Sequence, residues 1–273
     1  MSNKHHPFPL QEWLPQVIMI ARETGEEILQ YYHGEKHLEV TEKPDTTPLT
    51  EADLAANGVV VEHLRILTPE IPIISEESEI PPFELRQSWD TYWLVDPLDG
   101  TMEFIQGNGE FTVNIALIHH HQAIMGVIYA PVDDAVYFAC QGSGAYRRIH
   151  GKALESISCR ELDMQRFTIA SSRSYATPQI QSFIAQLGED HEVILRGSSL
   201  KSCLVAEGGA DLYPRLGPTS EWDTAAAQCI VEEAGGQITD LQMQPLRYNT
   251  KDSLLNPEFF VFGKASKDWS KFL

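Results

Sequence analysis

A short run of the sequence places two carboxylates directly after an apolar stretch. Residues Tyr92 to Val95 are aromatic or aliphatic, which predicts a buried strand. Pro97 has no N–H for a continuing ladder, so strand pairing is expected to stop near Asp96. Asp96 and Asp99 then lie together at a sheet edge, where their oxygens and the Leu98 carbonyl offer three ligands to a hard cation. This pattern indicates magnesium-assisted chemistry on a phosphate group.

The two residues after these acids fit a bound phosphate. Gly100 lets the backbone approach a ligand closely, and Thr101 supplies a hydroxyl where a helical turn is expected to begin. Backbone N–H groups at such a turn favour a phosphate. The alternative interpretation is an ordinary acidic turn, since Asp-Pro and Asp-Gly are common turn dipeptides.

Three further segments carry acids at the ends of predicted elements. Glu76 and Glu77 follow a short apolar stretch, Asp223 opens an alanine-rich helical run, and Asp53 fits a capping-box pattern ahead of another helix. Each acid also has a structural alternative. Adjacent acids at a strand end are usually solvated, which is expected of Glu77 more than of Glu76, and Asp53 and Asp223 occupy positions typical of helix caps.

In combination, the four acidic segments resemble the signature of the lithium-sensitive, magnesium-dependent phosphatases that include inositol monophosphatase and fructose bisphosphatase. Residues 108–118, 197–201 and 212–219 are similar to the bacterial CysQ branch of that superfamily, the 3'(2'),5'-bisphosphate nucleotidases. The match extends from about Trp13 to the end of the sequence. The resemblance implies an α/β (α+β) fold, a layered αβαβα sandwich of the inositol monophosphatase and fructose bisphosphatase type.

The resemblance also implies two halves within one compact catalytic unit, and two or three Mg²⁺ ions as cofactors. Residues 1–160 form an N-terminal α+β half with most metal ligands, and residues 161–273 form a C-terminal α/β half with Asp223 and the specificity residues. The implied metal ligands are Glu76, Asp96, the carbonyl of Leu98, Asp99 and Asp223. The implied catalytic residues are Asp53 and Thr101, which orient the attacking water, together with Glu76. The implied substrate-binding residues are Leu98, Asp99, Gly100, Thr101, Lys201, Arg215 and Asp223.

By this resemblance, the reaction removes the 3'-phosphate of adenosine 3',5'-bisphosphate (PAP) and gives AMP and phosphate. A metal-activated water attacks directly, and the sequence has no recognisable motif for a phosphoenzyme intermediate. The sulfated precursor PAPS is a further candidate substrate. The implied role lies in sulfate assimilation, and lithium is expected to inhibit the enzyme.

Two alternative functions stay open. An inositol monophosphatase or other sugar-phosphate phosphatase of the same superfamily would share every metal motif. Met102 stands where a lysine is expected in close CysQ relatives, which leaves the substrate range undecided. A non-catalytic nucleotide-binding sensor is disfavoured, because such a protein needs neither Thr101 nor Asp53 to orient a water.

Substrate specificity is expected to depend on a few cations. Lys201 follows a Gly-Ser-Ser turn and Arg215 lies just upstream of Asp223, so both are candidates for contact with the second phosphate. Each is explained equally well as a surface cation. Tyr213 is a candidate for stacking on an adenine, although an aromatic residue in this context is more often part of the core.

The elements that position these residues follow from hydrophobic periodicity. An amphipathic helix is predicted from about Leu10 to Tyr32, and strands dominate from Ile71 to Ala139. His119 to His121 fall at the turn of a predicted hairpin, so a solvated turn is a better interpretation than a transition-metal site. The segment from Glu42 to Leu49 carries two prolines and is a candidate flap over the metals. Strands and helices alternate from Phe167 to Phe262.

Composition limits the partners and the location. The formal net charge is -19 without a basic stripe, which disfavours nucleic-acid polymers and anionic membranes and leaves a small phosphorylated nucleotide as the expected partner. No apolar run reaches membrane-spanning length, and the N-terminus lacks the apolar core of a signal peptide. We expect a cytoplasmic protein, with weak peripheral association at the inner membrane left open. The four cysteines are widely spaced, which predicts buried thiols in a reducing compartment, and the oligomeric state is left open.

Overall fold

Two large β-sheets organise the chain, and helices pack on their faces. The computed structural model describes residues 7–43, 48–162, 167–173, 177–188, 191–264 and 267–273. The helices in these residues are α1 (Leu10–Tyr32), α2 (Glu51–Leu67), α3 (Phe83–Arg86), α4 (Thr101–Ile105), α5 (Pro178–Gln186), α6 (Leu200–Ala206) and α7 (Glu221–Glu233), followed by a 3₁₀ turn at Trp269–Phe272. The predicted N-terminal helix therefore has the predicted bounds.

The first sheet has seven strands in the spatial order β3-β4-β5-β6-β7-β8-β9. β3 and β4 are parallel, and the remaining neighbours are antiparallel. The strands are β3 (Ile73–Ser75), β4 (Thr91–Asp99), β5 (Thr112–His119), β6 (Gln122–Ala130), β7 (Ala135–Cys140), β8 (Ala145–Ile149) and β9 (Glu155–Ile157). A separate antiparallel pair, β1 (Val40–Glu42) and β2 (Pro48–Thr50), precedes α2.

The second sheet has five strands in the spatial order β11-β10-β12-β14-β13. Its members are β10 (Phe167–Ser172), β11 (His191–Arg196), β12 (Leu212–Arg215), β13 (Gln237–Asp240) and β14 (Phe259–Phe262). β10 runs parallel to both β11 and β12, whereas β14 is antiparallel to its two neighbours. The sheet therefore contains both parallel and antiparallel pairs.

Helices and sheets stack in five layers. α1 and α2 pack on one face of the first sheet, where Val17, Val60 and Trp93 belong to one buried cluster. α7 packs on the opposite face of this sheet, and α6 contacts both α7 and the second sheet. α5 covers the far face of the second sheet through Ile180 and Phe183. The predicted αβαβα sandwich is confirmed.

β4 brings two acids to one end of the first sheet. Consecutive residues of the strand face opposite layers, so that Trp93 packs with α1 and α2 while Leu94 packs with α7. The prediction that pairing stops near Asp96 is wrong, because the register shifts after Asp96 and pairing with β5 resumes at Asp99. Pro97 therefore produces an irregularity inside the strand rather than its end.

β5 and β6 form the predicted hairpin, and its turn consists of two histidines. His120 and His121 have φ values of +47° and +63°, the left-handed conformation that two-residue hairpin turns require. His119 is the last residue of β5, and the Nδ1 atom of His121 lies 2.8 Å from the carbonyl oxygen of Tyr248. The interpretation of this histidine run as a turn is confirmed.

The strands of the two sheets lie on either side of the predicted boundary between halves. The first sheet ends at Ile157 and the second begins at Phe167, and the division into residues 1–160 and 161–273 stays a prediction. All four cysteines are buried and unbridged. Among the described helices, none has the length and apolar character needed to cross a membrane.

Candidate active site

Carboxylates from three elements of the fold meet at one point, and we call Glu76, Asp96 and Asp223 the acidic cluster. One oxygen of each lies within 4.8 Å of one oxygen of each of the others. Glu76 follows β3 and Asp96 lies near the end of the parallel neighbour β4, so both acids reach the same sheet edge. Asp223 comes from the first turn of α7, and its Oδ2 also accepts the N–H of Ser220 at 2.9 Å. Asp223 therefore caps α7 and lies in the acidic cluster at the same time.

Desolvation and mutual repulsion disfavour the charged form of the acidic cluster. Asp96 is only 2% exposed, and burial, followed by the charges of Glu76 and Asp99, raises the pKa of its carboxyl well above the ordinary value. Desolvation, with the charges of Asp99 and Glu76, likewise raises the pKa of Asp223. Desolvation also raises the pKa of Glu76, although the Lys43 ammonium acts in the opposite direction. A bound divalent cation would favour the ionised acids, so this all-oxygen donor set fits a hard ion such as Mg²⁺.

Asp99 is oriented mainly by the segment that precedes α6. Its Oδ2 accepts hydrogen bonds from the Ser198 hydroxyl at 2.6 Å, the Ser199 N–H at 2.7 Å and the Ser199 hydroxyl at 2.8 Å. The Asn114 side-chain amide donates to the same oxygen at 3.2 Å. These bonds fix the carboxylate, and Oδ1 takes no part in them. No role for the two serines was predicted from the sequence, although they belong to the Gly-Ser-Ser turn that precedes Lys201.

Asp53 makes the contacts of a helix cap and also reaches Thr101, so the structure is compatible with both interpretations that the sequence left open. Its Oδ2 accepts the N–H and the hydroxyl of Thr50 at 2.7 and 2.6 Å, which caps α2. Its Oδ1 accepts the hydroxyl of Thr101 at 3.1 Å. Thr101 opens α4 directly after Gly100, whose φ of +94° favours glycine. Desolvation raises the pKa of Asp53 above its ordinary value.

A cavity of about 230 Å³ joins the acidic cluster to the predicted substrate residues. Asp53 lies behind this cavity and reaches it through Thr101. The lining includes the whole acidic cluster and the predicted substrate residues Leu98, Asp99, Gly100, Thr101, Lys201 and Arg215. The roles assigned to these residues stay predictions.

The two candidate cations occupy different environments. Lys201 is 5% exposed, so its interpretation as a surface cation is wrong. Its Nζ donates to the Ser198 carbonyl at 2.5 Å and lies 5.3 Å from the centre of the Tyr213 ring, and desolvation lowers its pKa to about 8. Arg215 is partly exposed and donates to the Pro218 carbonyl at 2.8 Å. Tyr213 is a core residue, at 6% exposure, whose ring borders the cavity.

Lys43 is a site residue that the sequence analysis missed. Its Nζ lies 2.7 Å from Oε1 of Glu76 and 2.5 Å from Oε1 of Glu77. The expectation that Glu77 is solvated is wrong, because its side chain is 6% exposed and desolvation raises its pKa to about 7. Lys43 follows β1 in the predicted flap, of which residues 44–47 lie outside the described residues. The sequence feature that could have indicated Lys43 is a lysine in a proline-containing segment just before the helix that carries Asp53.

Comparison with known sequences assigns the chain to a family. The model of the inositol monophosphatase family matches residues 10–268. The 3'(2'),5'-bisphosphate nucleotidase CysQ of Escherichia coli K12 is 49% identical over 248 residues, which cover 91% of this chain and 98% of that protein. The CysQ nucleotidase of Haemophilus influenzae is 38% identical over 260 residues, which cover 94% of each chain.

Solved structures agree with the sequence comparison. CysQ from Bacteroides thetaiotaomicron, a bacterial member of the inositol monophosphatase family, superimposes with a TM-score of 0.82 at 40% identity and covers 94% of this chain and 99% of that one. Inositol monophosphatase from Anabaena gives a TM-score of 0.77 at 26% identity, with 97% and 96% of the two chains covered. The resemblance predicted from the motifs is confirmed, and the chain belongs to the inositol monophosphatase family.

Proposed function

We propose that the chain is a Mg²⁺-dependent 3'(2'),5'-bisphosphate nucleotidase that hydrolyses the 3'-phosphate of PAP to give AMP and phosphate. The observation that carries the proposal is the convergence of the acidic cluster beside Thr101 and Lys201 in one cavity. Relatives named 3'(2'),5'-bisphosphate nucleotidase are 49% identical over 91% of the chain, which supports the nucleotide as substrate.

The residues that would hold magnesium are the acidic cluster, Asp99 and the carbonyl of Leu98. When bound there, Mg²⁺ supplies a water of lowered pKa and neutralises charge on the phosphate oxygens. Asp99 is held by Ser198 and Ser199 through one oxygen, so its orientation is set before any ligand arrives. Two or three ions are proposed, in line with the number of carboxylates.

Asp53 and Thr101 have the geometry to orient the attacking water. The Thr101 hydroxyl donates its hydrogen to Asp53, which leaves its oxygen lone pairs free to accept a hydrogen from a water in the cavity. The raised pKa of Asp53 favours uptake of a proton as that water loses one. In the proposed reaction the water oxygen forms a bond to phosphorus, the bond from phosphorus to the 3'-oxygen breaks, and that oxygen takes up a proton.

A second cavity adjoins the first and provides room for the nucleoside. Its volume is about 550 Å³, and it shares Asp223, Tyr213 and Arg215 with the cavity that contains the acidic cluster, which we call the metal cavity. Apolar side chains, including Trp222 and Leu255, line it beside several hydroxyl groups. An apolar cavity with a few polar groups suits a planar base, and Lys201 and Arg215 are proposed to contact the second phosphate.

The main alternative is a phosphatase of the same family that acts on inositol or sugar phosphates. Met102 lines the metal cavity at 36% exposure, where a lysine is expected in close CysQ relatives. This position therefore carries no cation, so PAPS and the sugar phosphates are included among the substrates to be tested.

The deciding experiment compares phosphate release from PAP, inositol 1-phosphate and fructose 1,6-bisphosphate with and without Mg²⁺ and millimolar Li⁺. We expect Mg²⁺-dependent, Li⁺-sensitive release with PAP preferred. Preference for either sugar phosphate would contradict the proposed specificity, and activity that resists Li⁺ would contradict the proposed metal mechanism.

The Lys201→Met variant should raise KM for PAP more than KM for inositol 1-phosphate, which has a single phosphate. The cytoplasmic location and weak contact with the inner membrane stay predictions.

A further inference from the structure

Glu110 joins the two sheets next to the candidate site. It lies just before β5, and its side chain is 16% exposed. Its Oε2 accepts the N–H of Gly197 at 2.8 Å. Arg173, which follows β10, donates to Oε1 at 3.0 Å, and the Nη1 of Arg196, at the end of β11, lies 3.5 Å from the same oxygen. One carboxylate next to the first sheet thus holds two strand ends of the second sheet and the start of the Gly-Ser-Ser turn.

The turn that begins at Gly197 has little freedom to move. A Cβ atom at this position would lie 2.7 Å from the Glu110 carbonyl oxygen and 2.7 Å from Cγ of Glu103. The Gly197 backbone therefore packs closely against both glutamates. The next residue, Ser198, has a φ of +52°, which is uncommon for a residue with a side chain. The Glu110 bond therefore anchors a strained turn at its first residue.

This turn carries the groups that orient Asp99. The hydroxyl of Ser198 and both the N–H and the hydroxyl of Ser199 donate to Asp99 Oδ2 at 2.6 to 2.8 Å. The carbonyl of Ser198 also accepts the Nζ of Lys201 at 2.5 Å. A displacement of the turn would therefore change the orientation of a proposed metal ligand and the position of a proposed substrate cation together.

We propose that Glu110 is a positioning residue for metal binding, which holds the Gly197 to Ser199 turn so that Asp99 is presented to the cation. This inference rests on the proposed function, in which Asp99 is a magnesium ligand. The two arginine pairs do not by themselves explain the placement of Glu110, because both guanidinium groups are about half exposed, at 47% and 46%, and such pairs contribute little to folding stability. The partly buried hydrogen bond from Gly197 is the one that leads through the turn to Asp99.

The test measures Mg²⁺ binding to the intact protein by isothermal titration calorimetry, which requires no turnover. Glu110→Ala removes the acceptor for Gly197, and we expect Mg²⁺ affinity to fall about 10- to 100-fold, the usual effect of losing a group that orients a metal ligand. Glu110→Gln keeps one oxygen that can accept the Gly197 N–H, while its NH2 group takes the place of the oxygen that faces Arg173 and Arg196. Those two arginine side chains are about half exposed and can turn to solvent, so Mg²⁺ affinity should stay within about threefold of that of the parent protein. The Gln variant also keeps the test informative if the Ala variant does not fold.

Glu233 provides a matched control. Its carboxylate also accepts two loop N–H groups, those of Gly142 and Gly144, each at 2.8 Å. It lies ten residues after Asp223 on α7, about 15 Å along the helix axis. Glu233→Ala should lower thermal stability without changing Mg²⁺ affinity.

Three results would overturn the proposal: unchanged Mg²⁺ affinity in Glu110→Ala, an equal loss in Glu233→Ala, or a loss in Glu110→Gln as large as that in Glu110→Ala. In the active enzyme, the Mg²⁺ concentration for half-maximal rate should rise in Glu110→Ala more than kcat falls. A protein that binds Mg²⁺ but does not hydrolyse PAP would contradict the proposed function and leave the calorimetric comparison valid.

Discussion

At the residue scale, buried acids of this site stabilise helix starts with the same carboxylates that are proposed to take part in the chemistry. Asp53 accepts from Thr50 through one oxygen and from Thr101 through the other. Asp223 caps α7 through Oδ2 and belongs to the acidic cluster as well. A helix cap and a catalytic acid are therefore not exclusive interpretations, because a carboxylate has two oxygens with several acceptor positions.

Replacing Asp96 by Asn should remove nearly all turnover. The amide cannot replace an anionic ligand, and a loss of about 4 kcal/mol of transition-state stabilisation lowers kcat/KM about 10³-fold. Without metal, the same variant should unfold at an equal or higher temperature, since it removes an ionisable group whose charged form is disfavoured by burial and by the charges of Glu76 and Asp99. Steady-state kinetics and thermal unfolding in EDTA test both effects. Asp240→Asn, on the second sheet, is the control, and parent-like activity of Asp96→Asn would remove Asp96 from the mechanism.

Replacing Thr101 by Val should lower kcat about 10²-fold and leave the Mg²⁺ requirement unchanged. Valine keeps the shape of threonine but lacks the hydroxyl that donates to Asp53. Thr101→Ser restores that hydroxyl and should recover most of the rate. Kinetics at saturating Mg²⁺ separate the two variants, and an equal loss in both would show that the hydroxyl is not the group that matters.

At the scale of elements, the site is assembled from strand ends and helix starts that are far apart in the sequence. The ends of β3 and β4 bring Glu76 and Asp96 together, whereas Asp223 comes from the first turn of α7, which lies between the two sheets. The pair β1 and β2 adds Lys43, whose ammonium contacts Glu76 and Glu77. This element thus supplies a positive charge to the group of acids that is proposed to bind a cation.

Replacing Lys43 by Met should have opposite effects on stability and on metal binding. In EDTA, two largely buried carboxylates lose a partner, which should cost about 1 kcal/mol after allowance for solvent screening and lower Tm by about 2–4 °C. The Mg²⁺ concentration for half-saturation should fall several-fold, because a competing positive charge is gone. Calorimetry and thermal unfolding measure the two effects. Lys36→Met, which breaks the pair with Glu27, is the control, and weaker Mg²⁺ binding in Lys43→Met would contradict the expectation.

At the scale of the whole molecule, acidity dominates. The formal net charge is -19, and several carboxyl groups are buried where desolvation raises their pKa. Glu77, beside the acidic cluster, and Glu221, in the first turn of α7, both reach a pKa of about 7. The proposed magnesium would compete with protons for the acids of the cluster, so pH and metal should act together on stability.

The metal-free protein should lose stability as the pH rises from about 5 to 8. The folded-state pKa values of Glu77 and Glu221, about 7, exceed the ordinary value of 4.5. The stabilisation from proton binding is therefore complete below pH 4.5 and is lost as the pH passes 7, at about 1–3 kcal/mol for each group. Urea unfolding in EDTA at several pH values measures this. Added Mg²⁺ should raise Tm more at pH 8 than at pH 6, and stability that rises over this interval would contradict the expectation.

The resemblance of the motifs to a known family implied the layered fold, whereas hydrophobic periodicity and turn residues predicted the bounds of α1, the histidine turn and the element ends that carry the four acidic segments. Periodicity and turn chemistry depend on near neighbours in the chain, so they can be read without a structure. Tertiary structure decided the rest: the continuation of β4 past Pro97, the burial of Glu77 and Lys201, and the contacts of Lys43 and Glu110. Those features depend on distances between residues that are far apart in the sequence, and the packing of helices and sheets against one another sets such distances.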